Sequence, residues 1–241
     1  MLASAAPVVG PRARVSIVIP ALDEERAIGA ALAAALAQAD DVVVTDGGSR
    51  DRTVEIAREM GARVVSGPPG RGRQLNRGAA AAGEAGREPE DILLFLHADT
   101  TLPGGGVELV RRAIAAGAVG GAFEIRFDGR GWVYRLGERV ASVRSRWSLL
   151  ALGDQAQFVR RERFEDLGGF RDWPLLEDLD FMLRLRESGR IAILPQPVVT
   201  SARRFAARGP LRTVLGNWWI WTQFVRGVAP EQLAARYRDV R

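Results

Sequence analysis

Three apolar runs, each leading straight into acidic or acid-bearing residues, constrain this chain more than any other feature. Residues 15–19 lead into Ala21, Leu22, Asp23 and Glu24. Residues 42–44 lead into Asp46, Gly47, Gly48 and Ser49, and residues 92–96 into His97, Ala98 and Asp99. Short β-prone runs of this kind read as buried strands. In an open α/β sheet, ligands bind outside the carboxyl ends of the strands. If the three runs are neighbouring parallel strands, their polar ends converge on one crevice. Several carboxylates in one crevice suit a nucleotide and a divalent cation.

The rest of the chain alternates in the same way. Helical periodicity covers 24–38, with Ile28, Leu32 and Leu36 on one face. A second strand covers 40–45, and a helix capped by Ser49 or Asp51 runs to Met60 with Val54 and Ile56 inward. A strand at 63–66, a Gly/Pro loop at 67–72 and a helix at 73–82 follow. After the strand at 92–96, a helix runs to Ala115 and an extended stretch covers 118–127. Residues 130–150 read as a helix with Trp132, Leu136, Val140 and Val143 at compatible spacing. Residues 157–160 are extended, 177–188 helical, and 191–194 a last strand broken by Pro195 and Pro197. Two helices, 211–226 and 231–238, end the chain. Alternating strands and helices predict an α/β fold with a largely parallel sheet. The expected organisation is a loose tail at 1–14, one α/β domain at 15–205 and a helical extension at 206–241.

Composition supports a packed domain, since 47% of the 241 residues are hydrophobic. All 34 of the chain's Lys-or-Arg residues are arginine, with His97 in addition, which raises the isoelectric point to about 10.8 at a net charge of only +5. In an Ala- and Gly-rich chain this is in part compositional bias; the sharper reading is attraction to phosphorylated or membrane-surface partners. The arginines are dispersed and not interleaved with aromatics, so nucleic-acid binding is not expected. The absence of cysteine excludes disulfides and thiolate metal sites. No signal peptide and no membrane span are expected. The expected location is therefore cytoplasmic, with the inner face of the membrane as the alternative site of action.

The stretch Val15-Ser-Ile-Val-Ile-Pro-Ala-Leu-Asp-Glu-Glu25 resembles the opening strand of family 2 glycosyltransferases, the large group with the GT-A fold. Asp46-Gly-Gly-Ser-Arg-Asp51 is similar to their second-strand aspartate motif, and Gly70-Arg-Gly-Arg-Gln-Leu-Asn-Arg-Gly78 to their Gly-Lys-Gly…Asn-x-Gly loop. His97-Ala-Asp99 falls where their Asp-x-Asp motif falls. Gly168-Gly-Phe170, followed by Leu176-Glu-Asp178, resembles their acceptor-side pattern. Five motifs in the right order are far more specific than one. The tail after Ser201 resembles only a small bacterial subgroup and says little about substrate.

The resemblance implies a nucleoside-diphosphate sugar as donor, Mg²⁺ or Mn²⁺ as cofactor and an acceptor of unspecified identity. Pro20, Ala21, Asp23, Glu24, Asp46, Gly48, Gly70, Arg71, Asn76, His97 and Ala98 would line the nucleotide side. Ionised carboxylates are acceptors that match nucleoside N–H and hydroxyl donors. Helix capping is the competing reading of Asp23 and Ser49; it is favoured for Ser49, and nucleoside contact for Asp46. The Gly70–Gly78 loop can approach a diphosphate closely, and Arg71, where the family usually has lysine, can grip phosphate in bidentate fashion. Asn76 would fix that loop through its backbone. Gly47 stands where the family often has a second aspartate, which leaves the base open.

Asp99 is the metal-ligand candidate, since these cations prefer oxygen donors and are commonly held by carboxylates together with substrate phosphates. His97 replaces the first aspartate of the motif; ribose or phosphate contact, a structural role and direct ligation remain open for it. The resemblance makes Asp178 the base that deprotonates an acceptor hydroxyl, with Glu177 orienting the acceptor or a loop and Asp180 a weaker candidate. In-line attack at the anomeric carbon would invert its configuration. Gly153, Asp154 and Gln155 line the acceptor pocket or form a plain turn, and Arg203 and Arg204 close over the diphosphate or face solvent.

Trp218, Trp219, Trp221 and Phe224, flanked by Arg212 and Arg226, form a terminal aromatic cluster. It suits packing on the domain, homodimerisation or peripheral membrane contact. Two rival functions stand beside glycosyl transfer. A sugar-phosphate nucleotidyltransferase would usually carry a Gly-rich loop after the first strand, where Pro20-Ala-Leu-Asp-Glu stands here. A non-catalytic nucleotide-sugar binder is kept open by Gly47 and His97.

Overall fold

The computed structural model describes residues 13–83, 88–129, 131–203, 216, 219–224 and 226–238. The apolar runs form strands β1 (Val15–Ala21), β2 (Asp41–Asp46), β3 (Arg63–Ser66) and β4 (Ile92–Phe95). They are followed by β5 (Thr100–Thr101), β6 (Gly120–Phe127), β7 (Phe158–Arg160) and β8 (Ile191–Thr200). The eight strands make one sheet in the order β3-β2-β1-β4-β7-β6-β8-β5. Strands β1, β2 and β4 are parallel neighbours, with Ala21 opposite Asp46 at their carboxyl ends. Four of the seven pairings are parallel; β7 pairs antiparallel with both β4 and β6, and β5 with β8. The three acidic strand ends thus emerge along one edge of the sheet, as their sequence placement predicts.

Helices α1 (Ile28–Leu36), α2 (Thr53–Glu59), α3 (Arg71–Ala81), α4 (Gly106–Ala115), α5 (Trp132–Ser148), α6 (Arg161–Asp166), α7 (Glu177–Ser188) and α8 (Pro230–Arg238) surround the sheet. Two apolar layers hold it between them. One joins Ile17, Ile19, Ile28, Leu32, Leu94 and Val110; the other joins Val18, Leu75, Phe95, Phe164, Phe170 and Phe181. Each fully buried side chain of this size contributes about 2 kcal/mol. In the second layer Phe170 stacks on Phe181 at 4.5 Å and meets Phe95 edge-on at 4.8 Å, which anchors the segment that leads into α7. Gly78 lets α3 lie on the sheet, since a Cβ there would come within 2.2 Å of Val18.

Several expectations need correction. Strand β1 runs through Pro20 instead of ending there. Strand β8 runs through Pro195 and Pro197 as well; Pro195 and Gln196 bulge out of register between the Phe123–Leu194 and Glu124–Pro197 pairs, and pairing resumes at Pro197. Proline is tolerated where a strand needs no donor on that side. Helix α1 starts at Ile28, four residues later than the periodicity suggests, and α3 starts at Arg71, two residues earlier. Helix α2 buries Thr53 and Ala57 fully, while Ile56 packs half-buried against the first apolar layer as expected and Val54 is half-buried. Helix α5 forms as expected, but Trp132, Leu136, Val140 and Val143 are all exposed. Periodicity gives a face its character, not its partner.

In the terminal segment, Ile220 is buried, and Trp221 and Phe224 pack against the second apolar layer. The Phe224 ring meets Trp173 at 6.0 Å. This part of the aromatic cluster packs on the domain. Trp218, Arg204 and Arg212 lie outside the described residues.

Candidate active site

The loops after β1 and β2 are tied together by their own side chains. Asp46 is buried, and its two carboxylate oxygens accept from the Gly48 and Ser49 amides at 3.0 Å each. Ser49 Oγ accepts from the Asp23 amide at 3.0 Å, and Asp23 Oδ1 accepts from Arg50 N at 2.8 Å. Neither Ser49 nor Asp23 caps a helix. They lace two loops to each other, which the sequence reading missed because each bond spans 26 or 27 residues. Asp23 holds φ at +55° and Gly48 at +96°. A non-glycine residue in the left-handed region persists only where its surroundings hold it there.

Behind these loops sits Gln74, which the sequence reading passed over. Its Nε2 donates to Ala21 O at 2.9 Å and Thr45 O at 2.7 Å, bridging the ends of β1 and β2. A Cβ at Gly47 would come within 3.1 Å of this amide. Gly47 and Gln74 therefore belong together: the buried amide occupies space that a side chain at position 47 would need. The Ala21 and Ala98 side chains point into the apolar core. Only their backbones can serve a ligand.

Gly70 opens α3 with φ at +131°. Arg71 follows, its Nε 3.6 Å from Glu177 Oε1. Gly72 is required by close approach, since a Cβ would lie 2.3 Å from the Arg171 carbonyl oxygen. Asn76 does not fix its own loop. Its amide bonds the backbone of Phe170 in both directions, donating to Phe170 O at 2.8 Å and accepting from Phe170 N at 2.9 Å. It is a structural tie between α3 and the Gly-Gly-Phe segment.

At the start of α7, Leu176 takes φ at +66° and turns the chain so that Glu177 and Asp178 face different surroundings. Glu177 is 2% exposed and its Oε1 has no hydrogen-bond partner. Burial pushes its carboxyl up to about 7, against the pull of the Arg71 guanidinium and with reinforcement from Asp178. Asp178 is half-buried. Its Oδ2 accepts from Gly153 N at 2.6 Å and its Oδ1 from Leu179 N at 2.8 Å. Asp180 is engaged elsewhere, in an ion pair with Arg184 at 2.7 Å.

Gly153 brings the end of β4 and the start of α7 together. A Cβ there would lie 2.9 Å from both Asp178 Oδ2 and His97 Nε2. Gly153–Gln155 form the turn, the alternative expectation for this stretch, and Gln155 is fully buried there, bonding Phe123 O and Ser145. Arg144, which no motif signalled, donates to Gln155 Oε1 at 2.9 Å and sits in the field of Asp154 and Asp178. Arg203 reaches the same edge of the sheet. Its Nη2 donates to Glu24 Oε2 at 2.7 Å and to Asp99 Oδ2 at 3.2 Å. These contacts join Glu24, Asp99, His97, Gly153, Asp178, Glu177 and Arg71 in one continuous neighbourhood at the carboxyl edge of the sheet.

With that arrangement in view, the match of residues 16–170 to the model described as Glycosyl transferase family 2 is decisive. The chain belongs to glycosyl transferase family 2. The matched span includes the strand ends and the Gly70–Gly78 loop but stops before Glu177 and Asp178. Relatives include the 4,4'-diaponeurosporenoate glycosyltransferase of Staphylococcus haemolyticus, 37% identical over 36% of this chain and 24% of that protein. The glucosyl-3-phosphoglycerate synthase of Mycolicibacterium paratuberculosis is 33% identical over 48% of this chain and 43% of its own length. Both alignments thus span less than half of the curated relatives. The crystal structure of glucosyl-3-phosphoglycerate synthase from Mycobacterium tuberculosis with phosphoglyceric acid superimposes with a TM-score of 0.57. It is 23% identical and covers 78% of this chain and 70% of that one. The same synthase solved with Mn²⁺, uridine-diphosphate and glucosyl-3-phosphoglycerate gives 0.53 at 25% identity, with the same coverage. The family 2 fold and its mostly parallel sheet are therefore shared.

Among the described residues, no group of three or more His, Asp or Glu side chains is placed to hold a cation unaided. The donor set fits a cation held by one or two carboxylates and completed by a diphosphate, not a self-sufficient protein cage. No helix among the described residues is long and apolar enough to cross a membrane.

Proposed function

We propose that this family 2 chain transfers a sugar from a nucleoside-diphosphate donor to an acceptor hydroxyl, with Mg²⁺ or Mn²⁺ and with inversion at the anomeric carbon. The observation that carries this reading is the meeting of Asp178 Oδ2 and His97 at Gly153. It puts an accessible carboxylate beside the residue two positions ahead of Asp99.

In this reading the laced loops bearing Asp23, Glu24 and Asp46 receive the nucleoside, through backbone groups and the carboxylate lone pairs left over. Arg71 steadies phosphate. Asp99, with Glu24 near it, holds the cation, and relatives solved with Mn²⁺ and uridine-diphosphate support that choice. When bound, such a cation neutralises the departing diphosphate. Asp178 takes the proton from the acceptor hydroxyl: it is half-buried, less enclosed than Glu177, and oriented by two backbone amides. Glu177, buried behind it, sets the position of Arg71 instead of meeting the acceptor.

The test is a panel of nucleoside-diphosphate sugars with a mixed acceptor library and Mn²⁺, read by nucleoside-diphosphate release and by anomeric configuration of the product. Release of the diphosphate with an inverted product is expected. Pyrophosphate release from a nucleoside triphosphate would point instead to nucleotidyl transfer, and donor binding without turnover to a pure binder.

A further inference from the structure

Helix α5 presents a face that the described fold leaves uncovered. Trp132, Leu136, Val140, Val143 and Trp147 are 76, 52, 52, 58 and 87% exposed. Steps of four, four, three and four residues place them on one stripe. The other exposed positions of the helix are Arg135, Arg139 and Arg146, so its outer face is made of tryptophan, leucine, valine and arginine alone. Its single carboxylate, Glu138, is turned inward, where it accepts from the Phe127 amide at 2.9 Å and pairs with Arg135. Exposed Arg126 on β6 lines the groove beside α5 together with Arg139 and Arg146. Glu124, in the same groove, pairs with Arg146 and is largely buried.

We propose that this face docks on an anionic lipid surface, the apolar stripe lying in the interface and the arginines reaching lipid phosphates. Three features favour lipid as the occupant. The two tryptophans stand about 22 Å apart along the axis, one at each end, and tryptophan prefers the membrane–water boundary. The basic rim beside an apolar stripe matches helices that lie in the plane of a bilayer. A second copy is the poorer fit, because a twofold contact through this face would set arginine rims together with no exposed acid on the helix to answer them. Docking here would also fix the loop carrying Gly153, which begins directly after α5, at the lipid surface. This placement does not depend on the sugar-transfer reading, and its test has no activity readout.

The test is co-sedimentation of the full chain with vesicles of phosphatidylcholine alone or mixed with phosphatidylglycerol. Binding to the mixed vesicles only, weakened by salt, is expected. The double variant Trp132→Ser/Trp147→Ser and the single variant Arg139→Glu should each bind about tenfold more weakly or worse, with thermal melts unchanged because these side chains are exposed. Wild-type protein that stays in the supernatant, or a double variant that sediments like wild type, would overturn the proposal. So would light scattering that shows a dimer dissolved by the double variant, which would assign the face to a second copy.

Discussion

Arg203 donates to Asp99 Oδ2 at 3.2 Å through the same nitrogen that bonds Glu24 at 2.7 Å. A guanidinium thus stands between the carboxylates that end two parallel strands, in the place where a cation and a diphosphate would bring charge of their own. Its own charge is reinforced there, by Glu24 first and Asp99 second. Removing it leaves two acids without their counter-ion. The variant Arg203→Ala should bind Mn²⁺ in the absence of nucleotide about fivefold more tightly at low salt, the scale of one partly exposed ion pair. Titration followed by Mn²⁺ electron paramagnetic resonance checks this; unchanged affinity would mean that Arg203 does not shield the acidic pair.

Asp178→Asn should lower turnover by about 10² to 10⁴, the range for loss of a general base. Donor affinity should stay within about twofold, since no donor contact is assigned to this carboxylate. Asparagine has one carbonyl oxygen where the carboxylate accepts from both Gly153 and Leu179, so a loss of about 1 kcal/mol in stability is expected as well. Single-turnover kinetics with calorimetric donor binding separates the two effects.

Gly153→Ala probes position without removing any group. The added methyl would press on Asp178 Oδ2 and His97 Nε2 at 2.9 Å each. Both are side-chain ends that can give way, so melting should change little while turnover falls by about tenfold or more through misplacement of the base. Wild-type turnover in this variant would separate the Gly153 junction from the chemistry.

Glu177 makes stability depend on pH. Its carboxyl is raised from 4.5 to about 7, first by burial, so the folded protein holds this proton where the unfolded chain has released it. The stabilising contribution is complete below about pH 4.5 and is lost as pH rises through 7. Glu177→Gln has no such proton to lose. Relative to wild type it should gain up to about 3 kcal/mol between pH 4.5 and pH 8. Urea unfolding of both proteins across that window gives the answer, and a pH-independent difference would contradict the raised carboxyl.

Asn76→Ala should act on stability rather than on donor binding. It removes both bonds to Phe170 and leaves the Phe170 amide and carbonyl without that partner, at a cost of about 2 kcal/mol. Denaturation midpoints test the first part, and calorimetry with the nucleoside diphosphate the second.

Much of this architecture was legible in the chain. The apolar runs at β1, β2 and β4 and the acids after them gave strand ends and a shared edge, because a buried parallel strand must be apolar and its ligand-facing end need not be. Helices α5 and α7 were readable from periodicity, α7 to the residue. The errors arose where distant residues decide. Pro195 and Pro197 looked like strand breakers, yet β8 bulges at Pro195 and Gln196 and pairs with β6 again from Pro197. Ser49 looked like a cap, yet the Asp23 amide claims it. Arg144 carried no motif, Gln74 lay inside one without a role of its own, and Gln155 stood in a turn; what each does exists only once β1, β2, α5 and the Gly153 turn are assembled.

The sequence by itself settled which residue types stand at the strand ends, since local apolar patterning and spacing are properties of the chain. Tertiary structure decided what each one is able to do. Asp46 is occupied by backbone amides, Glu177 is buried and Asp178 accessible one position later, and Arg203 sits among acids. Burial and hydrogen bonding are set by segments up to 179 residues apart, and no local pattern encodes them. The same holds for α5: its period of apolar residues would be identical against a core or against water, and only the assembled sheet leaves that stripe outside.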